Sequence, residues 1–402
     1  MEKDHRHHSS QAFDYHKRPF LAIWETTHAC DLACLHCRAS AEVTPKPGEL
    51  SREEAMDLVW QVKAMGTPIL IFSGGDPLKR PDLCDLVRYA KSLGLRTGAI
   101  PAGSPLLTRE KIEELRAAGL DQLAVSLDAD NAAEHDAFRK SEGVFERTLE
   151  AIRTANEIGL AVQVNSLINV HNLEHLDRLI GLVQGLNIVF WEIFFLVPMG
   201  RGIDLSVIAA AKFEEAFEKI YQLNQKAPFV IKVTEAPHYR RFCIEKEMQK
   251  AGVDPATADL AAIELPEYLR KVSGPRKSIG HAPSGVNSGK GFLFVSCEGD
   301  IMPSGFLPVV AGNIRRDTLQ AVYQSSPFFQ KLRDASLLKG RCGICPYKEI
   351  CGGSRSRAYA MTGDFLAEDP CCAYVPCKTH REHEVRLQVP SRTDEGLNGR
   401  SA

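Results

Sequence analysis

The chain has 402 residues, 44% of them hydrophobic and 25% charged, a balance that suits one large globular domain with a smaller one attached. With 49 Lys and Arg against 51 Asp and Glu, the formal charge is −2, which argues against a broad nucleic-acid-binding surface. No basic segment followed by an apolar run opens the chain, and its most apolar stretch, 188–198, is shorter than the roughly 20 residues of a spanning helix. A cytoplasmic protein without a membrane span is therefore expected.

The first 18 residues are polar, carry His5, His7 and His8, and read as a disordered tail. Short apolar runs then recur at 20–25, 69–73, 95–100, 122–127, 161–168 and 188–195, separated by segments of helical periodicity. One helix starts at Ser51, with Glu54 completing a capping box, and stops at Gly66. Others are predicted over 81–93, 109–118, 145–158 and 173–186, several of them followed by a glycine (Gly94, Gly119, Gly159). Six strands alternating with helices predict an α/β fold with a parallel sheet, curled into a partial (β/α)6 barrel whose functional groups lie at the C-terminal strand ends. Beyond 195 the rhythm breaks. A helix is predicted at 212–224, mixed and mostly helical structure at 234–274, a glycine-rich loop at 280–291 and a hairpin at 292–308 around Glu298-Gly299-Asp300. The segment 340–376 is rich in cysteine and poor in apolar runs, so it needs a staple. The expected organisation is a tail (1–18), a barrel core (19–205), a helical and loop linker carrying substrate contacts (206–290), a small cysteine-rich domain (291–385) and a second tail (386–402).

Twelve cysteines are many for a reducing compartment, where clustered thiols serve metals or catalysis more often than disulfides. Cys84, Cys243 and Cys297 are scattered, and for the first two a buried apolar thiol is the plain reading. Cys30, Cys34 and Cys37 follow the first strand in a C-x3-C-x2-C pattern. A zinc ion there would need a fourth ligand, for which His28 and His36 are the candidates. Three thiolates can instead each hold one iron of a [4Fe–4S] cube and leave the fourth iron open beside a substrate.

This motif after the first strand of a βα barrel, within Trp24-Glu-Thr-Thr-His-Ala-Cys30-Asp-Leu-Ala-Cys34-Leu-His-Cys37, resembles the radical S-adenosylmethionine (SAM) superfamily over about residues 18–202. The resemblance implies that the open iron chelates the amino and carboxylate groups of SAM and that reduction yields a 5′-deoxyadenosyl radical, with Cys30, Cys34 and Cys37 as the catalytic ligands. Ser73-Gly74-Gly75-Asp76-Pro77, at the end of the second strand, is similar to the family's G-G-E motif, with Asp76 in place of Glu. By the same resemblance Gly74, Gly75, Asp76, Ser126, Asp128, Arg139 and Asn165 are candidate SAM contacts. Asp128 has a helix N-cap as its alternative, and Arg139 a plain ion pair. The loop 197–202 is expected to line the adenine pocket.

Cys342-x2-Cys345-x5-Cys351, followed by Asp369-Pro370-Cys371-Cys372, resembles the SPASM/twitch extension of radical SAM enzymes. The resemblance implies an auxiliary [4Fe–4S] cluster on Cys342, Cys345, Cys351 and Cys372, with Cys371 and Cys377 left open as the last ligand and a zinc ribbon as the alternative metal site. Ser304 and Ser354 stand where further cysteines would be expected, so two clusters in all are implied and Cys297 remains unpaired.

The run 289–315 together with the cysteine-rich segment is similar to the tetrapyrrole-processing subgroup of heme and heme d1 biosynthesis. That resemblance implies oxidative decarboxylation of propionate side chains to vinyls. His238, Arg240 and Arg355, with Arg241 and Arg357 nearby, are candidate partners for propionates. It also implies an electron donor such as a reductase, ferredoxin or flavodoxin. The alternatives are a maturase acting on a ribosomally made precursor peptide and, from another class, a non-catalytic electron relay. A relay would not need an iron left open.

Overall fold

The computed structural model describes residues 13–255, 278–279, 282 and 285–376. His5, His7, His8, Cys377, the second tail and all of 256–277 lie outside the described residues.

A ten-stranded sheet organises the chain, in the order β10-β9-β8-β1-β2-β3-β4-β5-β6-β7. The six strands expected from the apolar runs are β1 (Leu21–Glu25), β2 (Ile69–Ser73), β3 (Arg96–Ala99), β4 (Gln122–Ser126), β5 (Ala161–Ile168) and β6 (Phe190–Phe195). They pair in parallel with their sequence neighbours. Their near-continuous burial, BBBB in β2 and in β4, is what a parallel sheet covered on both faces demands.

The helices that cross between them are α1 (Arg52–Ala64), α2 (Leu83–Ser92), α3 (Arg109–Ala117), α4 (Ala132–Arg139), α5 (Val144–Glu157) and α6 (Leu176–Gln184). At the start of α1 the capping box closes both ways: Glu54 N–H donates to Ser51 Oγ at 3.2 Å and Ser51 N–H to Glu54 Oε2 at 2.8 Å. Apolar faces of these helices bury Leu58, Val59, Leu86, Val87, Leu115 and Ile152 against one side of the sheet, in one continuous core.

Three features depart from the expected organisation. After α7 (Ala210–Asn224) a seventh parallel strand, β7 (Val230–Thr234), joins β6, followed by α8 (His238–Lys250). On the other edge β8 (Phe292–Val295) pairs in parallel with β1. The hairpin expected at 292–308 is β8 with β9 (Asp300–Met302), extended by β10 (Gly312–Asn313). Strands from the expected linker and from the cysteine-rich segment thus continue the barrel sheet. Residues 13–18 are not a loose tail either. Tyr15 is buried with Phe20, Ile69, Ile71 and Ile279, and its carbonyl accepts Tyr323 Oη at 2.7 Å.

The sheet curls. Ile23 of β1, Ile71 of β2, Ala124 of β4, Phe194 of β6 and Thr234 of β7 all line one cavity that communicates with solvent. Strands six places apart can share a cavity only if the sheet bends round it.

Candidate active site

The first cysteine loop leaves the C-terminal end of β1 and is held from two sides by backbone. After β2, Gly75 N–H donates to Thr27 O at 2.8 Å and Asp76 N–H to Ala29 O at 2.7 Å. A Cβ on Gly75 would stand 2.4 Å from Ala29 O, so this turn has glycine because the cysteine loop lies directly on it. After β6, Gly200 (φ +53) packs so that a Cβ would meet Cys37 O at 2.4 Å. Beside it Arg201 N–H donates to Cys37 O at 3.0 Å, while its guanidinium donates to Cys34 O at 2.9 Å and Ala41 O at 3.0 Å. Arg201 belongs to the loop 197–202 expected at the adenine pocket, but its own part in holding the cysteine loop was not legible, since a lone Arg in a loop carries no pattern.

Leu32 N–H points at Cys30 Sγ at 3.4 Å, and Arg139 Nη1 lies 3.9 Å from Cys34 Sγ. Burial, together with the neighbouring Asp76, Cys34 and Cys37, pushes the Cys30 thiol up to about 12. Burial raises Cys34 as well, against the pull of Arg139. Thiols in such a state become thiolates only in the company of a cation, which is what metal coordination supplies. His36 does not share this role: its ring stacks on Phe138 at 4.7 Å, and burial pushes it down to about 3. Among the described residues no three His, Cys, Asp or Glu side chains close to single-ion distance. Three thiols on one loop suit a cube with one iron left open better than a tetrahedral zinc ion, which needs a fourth ligand.

Beneath the loop, Asp128 is an ion-pair partner rather than the cap of α4, which is Asn131. Arg139 Nε donates to Asp128 Oδ2 at 2.8 Å and Leu167 N–H to Oδ1 at 2.8 Å. Burial alone would raise Asp128, but Arg139, His36 and His135 hold it below the ordinary carboxylate range. Asp76 is wholly buried, with Oδ2 accepting Ser104 Oγ at 2.5 Å and Oδ1 accepting Leu78 N–H at 3.1 Å. Burial outweighs those bonds and raises it. Ser126 and Asn165 face each other across β4 and β5.

The second group of thiols is built differently. Cys342, Cys345, Cys351 and Cys372 line one small cavity with Gly353 and Asp369. Backbone N–H groups are aimed at two of them, Gly353 at Cys351 Sγ and Asp369 at Cys342 Sγ, both at 3.4 Å. Burial first, then mutual repulsion, pushes Cys345 up to about 12; Cys372 reaches about 11 and Cys351 higher. Cys371 does not line this cavity. It packs into the main core towards Arg357, from the turn at Pro370-Cys371. Ser354 caps the helix Arg355–Thr362 and donates to Glu235.

A profile of the Radical SAM superfamily matches residues 24–183. Over 360 residues the chain is 39% identical to the AdoMet-dependent heme synthase of Methanosarcina barkeri, covering 90% of this chain and 98% of that protein. To the AdoMet-dependent heme synthase of Nitratidesulfovibrio vulgaris it is 36% identical, covering 89% of this chain and 92% of that one. The chain belongs to this radical SAM family. Among solved structures, Streptococcus suis SuiB bound to precursor peptide SuiA shares the fold at a TM-score of 0.66, with 15% identity, over 89% of this chain and 76% of that one. Within this radical SAM enzyme the Gly74-Gly75 turn follows β2, and Ser126 ends β4 opposite Asn165 of β5. No helix among the described residues is long and apolar enough to cross a membrane.

Two expected substrate contacts are corrected. His238 is wholly buried between Phe213 and Phe217, with Nδ1 3.7 Å from Asp369, and burial pushes it down to about 3. Arg355 spends its guanidinium on the carbonyls of Gly353, Phe365 and Ala367 and on Cys342 Sγ. Neither lines the cavity: Arg355 satisfies buried carbonyls around the second thiol site, and His238 is packed among aromatic rings. Arg357 pairs with Asp369, and Arg241 with Glu214 and Glu245. Of the set only Arg240 reaches the cavity, and its terminal nitrogens are given to Ile350 O at 3.1 Å and Val286 O at 2.8 Å. Cys297 is buried, with Glu25 and Glu49 close by.

Proposed function

We propose that this enzyme converts propionate side chains of an iron tetrapyrrole into vinyl groups during heme biosynthesis in the cytoplasm. The observation that carries the reading is the likeness to an AdoMet-dependent heme synthase over 98% of that protein's length, well beyond the cysteine motifs. A large, mainly apolar cavity inside the curled sheet supports it, since a flat macrocycle needs such an enclosure.

When bound, SAM on a [4Fe–4S] cluster held by Cys30, Cys34 and Cys37 supplies a 5′-deoxyadenosyl radical. The rest is positioning. Gly74, Gly75, Ser126 and Asn165 border the SAM position, and Asp128 with Arg139 fixes the loop beneath Cys34. Both Asp128 oxygens are already engaged, so this pair shapes the site rather than gripping SAM. Walls of apolar residues exclude water from the carbon that gives up its hydrogen atom. A propionate that has lost that hydrogen becomes a vinyl group by releasing carbon dioxide and one electron. Cys342, Cys345, Cys351 and Cys372 would hold an auxiliary [4Fe–4S] cluster, whose chemistry is electron transfer. A reductase, ferredoxin or flavodoxin is the donor for each turnover. The likeness to SuiB, at 15% identity, speaks for the fold and gives a peptide substrate no separate support.

The test is anaerobic incubation with SAM, dithionite and iron-coproporphyrin III, followed by mass spectrometry. Loss of carbon dioxide and two hydrogens per side chain is expected. Release of 5′-deoxyadenosine with an unchanged porphyrin would overturn the reading.

A further inference from the structure

The cavity wall carries a polar row. Gln122 Nε2 donates to Gln163 Oε1 at 2.6 Å, and Gln163 Nε2 donates to Glu192 Oε2 at 3.0 Å. Glu192 Oε1 accepts Thr234 Oγ1 at 2.6 Å and Lys232 Nζ at 2.7 Å. The row crosses β4, β5, β6 and β7 in a wall otherwise made of residues such as Ile23, Ile71 and Phe194. An ion pair in an apolar wall is costly, and the backbone ladder already joins these strands. The pair needs a reason other than stability.

Its bonding points to one. Both oxygens of Glu192 are engaged, by three donors between them. Lys232 is not: an ammonium has three N–H groups, and one goes to Glu192 while the side chain remains 24% exposed beside the cavity. Arg240, the other cation of the wall among the described residues, is bound to two carbonyls. Glu235, the remaining charged group, is sealed by Ser354 and Ser356.

Sheet register fixes where that ammonium stands. Ser126 faces Asn165, Asn165 faces Glu192, and Glu192 faces Lys232. Lys232 is therefore level with the SAM-side residue Asn165 and two strands away, about 10 Å at the spacing of neighbouring strands. A molecule with carboxylates around an apolar disc can place one at each position.

We propose that Lys232, oriented by Glu192, anchors a substrate carboxylate other than the one being removed, which makes the site selective for a tetrapyrrole with several carboxylates. This inference rests on the tetrapyrrole reading above and adds a residue to it. Lys232 is a binding residue, and Glu192 and Gln163 are positioning residues that act through it.

The experiment titrates the reconstituted holoenzyme, with SAM bound, with iron-coproporphyrin III and with its tetramethyl ester, following the Soret band. Lys232→Met is expected to weaken binding of the tetracarboxylate by about ten- to a hundredfold, the size of a lost charge-assisted hydrogen bond, and to leave the ester unchanged. Lys232→Arg should restore most of the loss. If Lys232→Met fails to fold, Lys232→Gln makes the same comparison. Equal binding of the tetracarboxylate by variant and native enzyme overturns the anchor while the tetrapyrrole reading stands. Equal weakening of acid and ester also overturns it, by showing a general distortion. Failure of the native enzyme to bind or change the porphyrin overturns both.

Discussion

The two thiol sites differ in how they are supported. At the first, three cysteines sit on a loop that has few side-chain partners and is clamped through backbone by two other strand ends, at Gly75 and at Gly200-Arg201. At the second, four cysteines surround a small cavity, and long buried side chains, Arg355 and Arg357, tie the surrounding turns together. Cys30 and Cys34 are buried and Cys37 half-buried, whereas the four cysteines of the second site are all half-buried. The second is braced mainly by side chains of its own segment. A site that keeps the space beside its metal for a ligand takes its rigidity from neighbours.

The largest expected effect separates the roles of the two. Cys34→Ala should abolish 5′-deoxyadenosine release and lower iron from about eight to about four per chain, while the second site stays loaded. Iron analysis and product assay read both. Sharper still is the contrast at the second site. Cys372→Ala should lose about four irons and substrate turnover but keep SAM cleavage, whereas Cys371→Ala should keep all its iron. Equal iron loss in both variants would break the distinction drawn here. Arg139→Met leaves Asp128 buried without its cation and should cost about 3–5 kcal/mol in denaturant unfolding.

Gly75→Ala should be milder, slowing SAM cleavage by shifting the loop while leaving the second site's iron intact. The smallest effect is a pH dependence. His135 lies under the first site, where its Nδ1 accepts Asp128 N–H at 3.1 Å and burial pushes it from 6.5 down to about 4. Its contribution is therefore complete above the unfolded value and drains as pH falls from 6.5 towards 4. Of the stability lost between pH 7 and pH 5, His135 should contribute roughly 1–2 kcal/mol beside His36 and His238, and His135→Gln should remove that share of the slope in urea titrations.

Much of this was legible in the residues. Long apolar runs located six strands because a doubly covered parallel sheet leaves little room for polar groups, and the cysteine spacings located both thiol sites. What local pattern does not carry is partnership at a distance. β7 is five residues long with an iBiBi pattern and no flanking signal, and β8 reveals nothing of its pairing with β1. Arg201 and Lys232 are ordinary basic residues until the register sets one on the cysteine loop and the other beside Glu192. Conversely, His238 and Arg355 read as ligand-seeking groups, but their charge says nothing of burial. Glycine at 75 pointed to a close approach, and the neighbour is the chain's own loop.

The pairing of β8 with β1 has a practical consequence. A chain cut before Phe292 would leave β1 with bare N–H and C=O groups along its whole length, an edge ready to recruit other molecules. Because β1 delivers Cys30 to the mouth, such a trimmed catalytic half would not be a minimal enzyme but an aggregation-prone fragment, and the cysteine-rich end must be present for the radical-generating end to be soluble.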